Sequence, residues 1–341
     1  MKTAVVILNY NGAALMEEFL PSVVHSVNEM DAEVIVADNA STDSSLEFLK
    51  KNYPNVRVIA LDKNYGFAEG YNKALAQVDA EYFVLLNSDV EVDAEWLKPL
   101  EFFMDNNPDV AACQPKILYQ KNDNYFEYAG AAGGFIDKYG YPFCRGRIFN
   151  YVEPDVGQYD EQKDVFWSSG ACLFIRKADY MNVGGLDGDF FAHMEEIDLC
   201  WRLKNRGRRI VCIPSSVVYH VGGGTLAQGN PRKTFLNFRN NLLMLYKNLP
   251  SSKVNRTLFI RMVLDGLAAL LMLAKGDVQN FKSVYKAHTE FKALKKKFAE
   301  KREKEAAFAD SSAPISEIYR HSIVAAYYIR GIKRFRNLNW K

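Results

Sequence analysis

Residues 1–90 predict an α/β protein built on a largely parallel sheet that is covered by helices. Apolar runs that suit strands alternate with longer segments of helical periodicity. The runs are nearly continuous, as expected for strands buried on both faces. A polar residue follows four of them, at the edge where such sheets bind ligands.

The elements of this region follow in order along the chain. Helices are expected after the first strand, after the capping segment 41–44, and after the loop 63–68. The predicted strands cover Thr3–Leu8, Glu33–Ala37, Val56–Leu61 and Tyr82–Leu86, and the predicted helices cover Ala13–Asn28, 45–52 and 69–77.

The next part of the chain is expected to complete the sheet. Residues 119–165 are irregular and predict short strands and a loop over the site, with a plain surface hairpin as the alternative. Around Gly170 small residues would allow close backbone approach. The other predicted elements are helices 94–106, 195–206 and 232–248, a strand from Val110, and strands Val165–Arg176, Arg209–Ile213 and Ser216–Tyr219.

Pro250 and two serines mark a predicted domain boundary. We expect residues 1–250 to form one domain, with residues 1–115 as a nucleotide-binding half and 116–250 as an acceptor-binding and catalytic half. Residues 251–341 are expected to form a basic helical appendage, with helices at 256–274, 278–305 and 315–335.

The net charge of +2 conceals a basic C-terminal region. Residues 282–304 contain nine Lys/Arg and three Glu, and residues 318–341 contain six Lys/Arg and no acid. Such helices predict peripheral contact with a membrane surface, the alternative being an appendage packed on the sheet. Nucleic acid as a partner would explain only this charge and none of the strand-end residues, so we expect no nucleic acid.

Composition predicts a cytoplasmic protein, or one peripheral on the cytoplasmic face of the membrane. The five cysteines form no CxxC pair, which is typical of buried thiols in a reducing compartment. The chain runs from Met1 directly into a strand pattern, without the pattern of a signal peptide. Its longest apolar run, 262–274, is shorter than a bilayer span and contains Asp265.

The four polar residues that follow the strands are Asn9, Asp38, Asn64 and Asp89. Their equivalent positions predict one ligand site. Asp38 suits hydrogen bonds to a nucleoside base or ribose, and Asp89 suits a hard divalent cation that bridges phosphates. The first turn contains neither GxGxxG nor GxxxxGK[ST], which excludes dinucleotide and P-loop sites of those types.

The acidic stretch 190–202 is the candidate catalytic segment. In a helix from Glu195, the side chain of Glu196 begins an apolar stripe, where desolvation raises a carboxylate pKa towards that of a general base. Glu195 shares a more polar face with Asp198 and Arg202, which we expect to form an i,i+4 pair. The alternative is an ordinary helix start whose acids favour the macrodipole.

His220 ends a predicted strand and precedes a glycine-rich turn at 221–225. A single histidine is usually structural, but this position suggests a metal or phosphate contact.

The motifs together resemble the inverting nucleotide-sugar transferases of glycosyltransferase family 2, especially rhamnosyltransferase-like members. The resemblance covers residues 3–247. It is carried by VILNYNG at 6–12, VADNASTD at 36–43, NYGFAEGYN at 64–72, LLNSD at 85–89, the stretch 184–202 and Tyr219-His220. Asn87 stands where the family often has the first Asp of Asp-x-Asp, and Glu196 where it commonly has Asp.

The resemblance implies a GT-A fold: a mixed sheet flanked by helices that binds a nucleotide sugar. It implies that Asp38 contacts the donor nucleoside, that Asp89 and His220 hold a divalent cation (Mg or Mn), and that Glu196, with Glu195 as helper or substitute, is the base. The expected nucleotide-sugar residues are Asn9, Asn11, Asp38, Asn64, Gly66, Asn72, Asn87, Ser88 and Asp89. On the acceptor or phosphate side we expect Gly170, Asp187 and Arg202.

The implied reaction moves a sugar, with rhamnose one candidate, from a nucleotide-diphosphate sugar to a hydroxyl of a glycan or lipid-linked acceptor in cell-envelope polysaccharide synthesis. Three alternatives stay open at this point. They are a polyprenyl-phosphate sugar synthase, a nucleotidyltransferase that releases pyrophosphate, and a non-catalytic nucleotide-sugar-binding module.

Overall fold

The computed structural model describes residues 1–222 and 229–340, so residues 223–225 of the predicted glycine-rich turn lie outside it. Its N-terminal part follows the predicted alternation of strands and helices. The elements are β1 Thr3–Asn9, α1 Ala13–Ser26, β2 Ala32–Asp38, α2 Ser45–Asn52, β3 Arg57–Ala60, α3 Gly66–Leu75, β4 Tyr82–Leu86, β5 Val90–Val92 and α4 Leu97–Asn106.

Strands β1 to β4 form the parallel part of the larger sheet, in the order β4-β1-β2-β3. The side chains of β1 and β4 are almost completely buried, as their continuous apolar runs predict. β1 and β2 pair in register, so that Asn9 lies opposite Asp38. The polar residues at these strand ends therefore share one edge of the sheet.

The following segment extends this sheet and adds a second one. Its elements are β6 Val110–Tyr119, β7 Asn122–Phe126, β8 Gly134–Asp137, β9 Pro142–Cys144, β10 Arg147–Ile148, β11 Tyr151–Val152, β12 Lys163–Asp164, β13 Cys172–Arg176, α5 Lys177–Asn182, α6 Glu195–Asn205 and β14 Arg209–His220.

β13 joins the two parts of the larger sheet, because it pairs antiparallel with both β4 and β6. β14 runs parallel to β6, and β5 and β12 pair antiparallel with β14. The sheet is thus mixed and flanked by helices, which confirms the predicted fold class. The short strands expected within residues 119–165 are present.

Two predicted strand boundaries were wrong. The strand predicted from Val165 begins only at Cys172, because a tight turn closes there, with the N–H of Cys172 donating to the carbonyl of Ser169 at 3.2 Å. The two strands predicted over 209–219 form one strand, β14. It shifts register between Ile213 and Val217, around Pro214, which has no N–H to donate.

The C-terminal region is mostly helical, as predicted, but two of its helices differ from the prediction. After α7 Pro231–Asn248, which precedes this region, the elements are α8 Val254–Ala274, α9 Val278–Leu294, α10 Ala299–Ser311, β15 Ile318–Tyr319 and α11 Ile323–Tyr328. The helix predicted over 278–305 is interrupted between α9 and α10, where three consecutive lysines precede Phe298, whose side chain turns inward and is fully buried.

The helix predicted over 315–335 is wrong. Ile318–Tyr319 instead pairs with β8 and becomes the edge strand of a five-stranded sheet, β11-β10-β9-β8-β15. Ser322 then caps the short helix α11, and Gly331 has a φ of +67°. Beyond it, Phe335 packs against Phe135 with ring centroids 4.9 Å apart. The end of the chain is therefore built into the second half of the protein.

Among the described residues, α8 is long and apolar enough to cross a membrane, judged by length and composition. It has 21 residues and a mean hydropathy of 1.9, and 22% of its apolar window is buried. The run 262–274 taken alone missed this length, because Leu258, Phe259 and Ile260 are apolar and precede the single Arg261.

Candidate active site

The first group of predicted site residues lies where β1 and β2 end. The Nδ2 of Asn9 donates to Oδ1 of Asp38 at 3.0 Å and to Oγ of Ser41 at 3.1 Å. The N–H of Ser41 donates to Oδ2 of Asp38 at 2.9 Å. Asn9 and Asp38 are almost completely buried, so their polar atoms are fixed before any ligand binds.

Gly12 connects this group to the end of β4. A Cβ built on Gly12 would lie 2.5 Å from Oδ1 of Asn9 and 3.7 Å from Oγ of Ser88. Any larger residue at position 12 would therefore displace Asn9. The Oδ1 atom of Asn9 is buried and has no hydrogen-bond partner in the protein, so it can accept a hydrogen bond from a ligand.

Asn64 and Gly66 lie in a compact loop that is stabilised by hydrogen bonds from the side chain of Asn39. The Nδ2 of Asn39 donates to Oδ1 of Asn64 and to the carbonyl of Gly66, and the N–H of Gly66 donates to Oδ1 of Asn64 at 2.8 Å. Gly66 has a φ of +77°, and a Cβ there would lie 2.5 Å from the Phe191 ring. Glycine is needed at this position, because both the dihedral angle and the contact exclude a side chain.

Asn11 and Asn72 hold segments of the backbone. Oδ1 of Asn11 accepts from the N–H of Thr42 at 2.7 Å. Oδ1 of Asn72 accepts from the N–H of Leu186 at 3.0 Å, and its Nδ2 donates to the carbonyl of the same residue at 2.7 Å. The structure thus gives both asparagines a positioning contact, and their contact with a nucleotide sugar stays a prediction.

Asp89 and His220 lie together because β5 pairs with β14. His220 is opposite Val90 in this ladder, and Nε2 of His220 lies 3.1 Å from Oδ1 of Asp89. The Nδ2 of Asn87 is 3.5 Å from the same ring nitrogen. The sequence indicated these residues separately, and the sheet brings them to one place.

Glu127 completes this group and was not predicted. Its Oε1 lies 3.4 Å from Nδ1 of His220, and its side chain is buried. Burial by itself would lower the pKa of His220, but hydrogen bonds and charge from Asp89 and Glu127 outweigh burial and raise that pKa to about 10. No sequence signal identified Glu127, because it follows β7 in a segment without clear periodicity.

Asp89 and His220 fit a divalent cation only with the imidazole neutral, so a bound cation would displace the proton that Asp89 and Glu127 stabilise on His220. An octahedral ion with ligand bonds of about 2.1 Å places adjacent ligands about 3 Å apart, close to the 3.1 Å between Oδ1 of Asp89 and Nε2 of His220. The described residues contain no group of three or more His, Cys, Asp or Glu arranged to hold a metal. The protein would thus supply one oxygen and one nitrogen ligand and leave the other positions to water and phosphate oxygens.

The loop before α6 has an unusual backbone. Phe191, His193 and Met194 have φ values of +66°, +69° and +72°, which residues other than glycine rarely adopt. From α7, the Nδ2 of Asn240 lies within 2.7 to 2.9 Å of the carbonyl oxygens of residues 190, 192 and 193. Arg239 donates to the carbonyl of Phe190 at 3.1 Å. Strain of this kind concentrates at functional sites, where the surrounding structure maintains it.

Glu195 and Glu196 begin α6 directly after this loop. Burial raises the pKa of Glu196 to about 7, although backbone N–H groups at the start of the helix oppose the shift. Burial and the neighbouring charge of Glu196 raise the pKa of Glu195 well above its usual range. Glu195 is buried and Glu196 only partly, and the Oε2 atoms of both lack hydrogen-bond partners in the protein.

His193 adds a neutral group to the same loop. Burial, and then the charge of Lys233, lower the pKa of His193 to about 4. Its Nε2 is buried without a hydrogen-bond partner in the protein. The imidazole is therefore uncharged at neutral pH and open to a hydrogen bond with a ligand.

Gly170 lies between Glu196 and the segment that follows β4. A Cβ built on Gly170 would lie 3.9 Å from Cβ of Glu196, and the next residue, Ala171, accepts the backbone N–H of Asn87 at 3.0 Å. Asn87 in turn approaches His220. A short path of adjacent residues thus joins the candidate base to the candidate metal ligands.

Asp187 and Arg202 take part in buried ion pairs. Arg202 donates to Asp198 at 2.8 Å, which is the predicted i,i+4 pair, and to the carbonyls of Val183 and Gly185. Burial opposes ionisation of Asp187, but the ammonium groups of Lys247 and Lys301 hold its pKa well below the usual range. These contacts fix α6 against the C-terminal helices, and an acceptor or phosphate contact by either residue stays a prediction.

Comparison with known proteins places this site in a family. The family model described as glycosyl transferase family 2 matches residues 4–180. An N-acetylglucosaminyl-diphospho-decaprenol L-rhamnosyltransferase of Mycobacterium tuberculosis is 28% identical over an alignment of 234 residues that covers 63% of this chain and 75% of that protein. The low-salt glycan biosynthesis hexosyltransferase Agl10 of Haloferax volcanii is 21% identical over 70% of this chain and 74% of its own length.

Solved structures with the same fold are more distant in sequence. The mannosyltransferase PcManGT of Pyrobaculum calidifontis, in complex with GDP-Man and Mn²⁺, has a TM-score of 0.51 and 15% identity, covering 88% of this chain and 86% of that one. GalNAc-T7 with UDP, GalNAc and Mn²⁺ has a TM-score of 0.58 and 18% identity over 74% of this chain, which spans about half of that neighbour (49%). These likenesses confirm the GT-A fold class.

Proposed function

Because this chain belongs to glycosyltransferase family 2, we propose that it moves a sugar from a nucleotide-diphosphate sugar to a hydroxyl group with inversion at the anomeric carbon. The acceptor we propose is a glycan or lipid-linked sugar of the cell envelope, and rhamnose is the donor sugar we favour. The rhamnosyltransferase of Mycobacterium tuberculosis, whose name specifies a lipid-linked acceptor, supports both choices.

One observation carries the proposal. The carboxylate of Glu196, with a pKa near 7 and a free buried oxygen, lies next to Gly170, and a path of adjacent residues leads from there to Asp89 and His220. An inverting transfer needs a base for the acceptor on one side and a stabilised diphosphate leaving group on the other.

Each group of site residues has a separate proposed role in the transfer reaction. Asp38 and Asn9 orient the nucleoside of the donor, and Asn87 to Asp89 face its diphosphate. Glu196 accepts the proton of the acceptor hydroxyl as the oxygen attacks the anomeric carbon, and the nucleoside diphosphate leaves on the opposite side. Asp89 and His220 would hold a divalent cation, which when bound supplies positive charge that stabilises the leaving group.

The decisive experiment is a hydrolysis and transfer screen with nucleotide sugars whose bases are dTDP, UDP and GDP, with Mg²⁺, with Mn²⁺ and with EDTA. We expect turnover of one donor, release of a nucleoside diphosphate, and loss of activity in EDTA. Turnover unchanged in chelator would remove the metal role. Release of pyrophosphate from a nucleoside triphosphate would instead indicate a nucleotidyltransferase, and donor binding without turnover would indicate a binding module.

A further inference from the structure

Helix α8 has one face packed in the protein and one face exposed. On the packed face, Nε of Arg261 donates to Oδ1 of Asp265 at 2.7 Å, and both side chains are buried. Tyr141 donates to the same carboxylate at 3.3 Å, and Arg261 donates to Asn241 of α7. This ion pair fixes the orientation of α8, because turning the helix over would expose its packed face and remove these partners.

The opposite face of α8 is an apolar surface exposed to solvent. Its residues recur every three or four positions and so lie on one side of the helix. This apolar face consists of Phe259, Val263, Leu267, Leu270 and Leu271, which are 70%, 50%, 54%, 57% and 64% exposed. Contiguous exposed apolar surface of this kind marks a site of interaction.

Helix α9 packs beside α8 and provides a basic border. Its exposed lysines lie along the length of the helix and at its C-terminal end. They are Lys282, Lys286, Lys292, Lys295 and Lys296, the last two just after the helix end. Lys286 and Lys295 lie over the rings of Phe235 and Tyr246 of α7, which leaves Lys282, Lys292 and Lys296 as the core of the border. Glu290 is the acidic residue within α9, and it is paired with Arg239 at 2.6 Å, so it does not offset the lysines. Arg256 and Lys275 lie at the two ends of α8 and are also exposed.

We propose that the apolar face of α8, with its lysine border, docks this protein on an anionic phospholipid bilayer. Leucine and phenylalanine side chains enter the boundary between head groups and acyl chains, while lysines contact anionic head groups, as in interfacial helices. A second copy of the chain is a poorer occupant, because self-association through this face would bring two basic borders together. The buried pair of Arg261 and Asp265 places α8 on the bilayer and not across it, since crossing would leave both charges in hydrocarbon.

The proposal deepens the proposed function, and it rests on that function only for the identity of the acceptor. α8 packs against α7, and α7 carries Asn240, which holds the backbone of the active-site loop. A docked α8 would therefore bring the active site close to the membrane surface, where a lipid-linked acceptor is confined. The basic C-terminal region predicted from the sequence contributes only part of this surface, because Lys297 and Lys301 are paired with Asp189.

The test is co-flotation of the full-length protein with vesicles of phosphatidylcholine and phosphatidylglycerol, and with vesicles of phosphatidylcholine alone. We expect binding to the anionic vesicles that weakens with salt. The triple variant Leu267→Gln, Leu270→Gln, Leu271→Gln should lose about tenfold or more in partitioning, because three exposed leucines that would enter the bilayer are replaced by polar side chains that still favour a helix. Lys282→Gln with Lys292→Gln should reduce the preference for anionic vesicles.

Phe102→Gln is the matched control, since Phe102 is 73% exposed but lies on α4, outside the apolar face. This variant should bind vesicles as the unchanged protein does.

Absence of the unchanged protein from both floated fractions would overturn the proposal, as would equal binding by the triple variant. A dimer in light scattering that the triple variant abolishes, without vesicle binding, would assign the face to a second copy. Vesicle binding without turnover of any nucleotide sugar would count against the proposed function alone, and turnover without vesicle binding against the docking alone.

Discussion

At the residue scale, two adjacent glutamates differ in what surrounds them. Glu195 is buried next to another carboxylate, so its ionisation is strongly opposed. Glu196 is partly exposed, and helix N–H groups favour its charged form, which leaves its pKa near neutrality. A general base works best when its pKa lies near the operating pH, which makes Glu196 the better candidate.

We expect Glu196→Gln to lower kcat about 10²- to 10⁴-fold, the usual effect of losing a general base. The substitution keeps shape and removes only the ionisable group, so thermal unfolding should stay close to that of the unchanged protein. Steady-state transfer rates provide the measurement, and Glu195→Gln is the matched control, with a smaller loss expected. Full activity of Glu196→Gln together with an inactive Glu195→Gln would transfer the role of base to Glu195.

The pH dependence of turnover should follow the same group. Because burial raises the pKa of Glu196 to about 7, the carboxylate form is scarce below that pH and dominant above it. We expect kcat to rise about tenfold per pH unit below pH 7 and to level off above it. Initial rates measured across the pH range at saturating donor would show this rise in kcat. A flat profile through pH 7 would contradict the assignment.

Some single-residue features could be predicted and others could not. The residues at the ends of β1, β2 and β4 could be predicted, because strand periodicity and turn chemistry are local properties of the sequence. The helical phase predicted the wrong order of burial for the two glutamates: Glu195, expected on a more polar face with Asp198 and Arg202, is the more buried of the two. The role of Glu196 as base stays a prediction. Glu127 could not be predicted, because its meeting with His220 depends on how an irregular segment crosses the end of β14.

At the element scale, the loop 190–194 determines where α6 begins. Three residues with positive φ make this loop costly, and α7 holds it through the side chain of Asn240. Helix α7 was predicted over residues 232–248, but its hydrogen bonds to the loop 190–194 were not predicted. Periodicity identifies which face of a helix is apolar, but not which polar group on it meets a distant carbonyl.

Asn240→Ala should release this loop and reduce turnover more than donor binding. We expect kcat to fall about ten- to a hundredfold, because misplacing a catalytic group by about 1 Å has effects of that size. Thermal stability should fall as well, since buried carbonyls lose their partner. Transfer rates and donor affinity should be measured separately.

Ser26→Ala is the control for a general loss of stability. It removes a buried hydrogen bond with the indole of Trp96 at the far end of α1, opposite the ligand edge of the sheet. This variant should lower the melting temperature with kcat unchanged. Equal reductions of kcat in the two variants would show that Asn240 acts only through stability.

At the scale of the whole molecule, residues 318–319 of the mostly helical C-terminal region belong to the second sheet. Local sequence between 315 and 335 favours a helix, but the open edge of β8 takes residues 318–319 as a strand. Tertiary pairing overrides local propensity there, which is why the prediction failed in this segment. The division of the chain at residue 250 stays a prediction.

Phe335→Ala tests this packing. Phe335 is buried and contacts the rings of Phe135, Phe143 and Trp340. Truncating a buried phenylalanine typically costs about 3 to 5 kcal/mol, so the urea midpoint should fall clearly. Phe102→Ala, on the exposed surface of α4, should change stability by about 0.5 kcal/mol or less. Similar midpoints for the two variants would show that the C-terminal residues add little to the core.

The strand at the end of the chain has a consequence for synthesis on the ribosome. The carboxylate of Asp137 accepts a hydrogen bond from the N–H of Ile323, which lies 186 residues later in the chain. At translation rates of roughly 5 to 20 residues per second, synthesis of the segment that pairs with the edge of β8 would follow that of β8 by on the order of 10 to 40 seconds. The parallel strands β1 to β4 can form during this time, while the apolar side chains of β8 and β9 stay uncovered. A newly made chain should therefore need a chaperone at this edge more than anywhere in its first half.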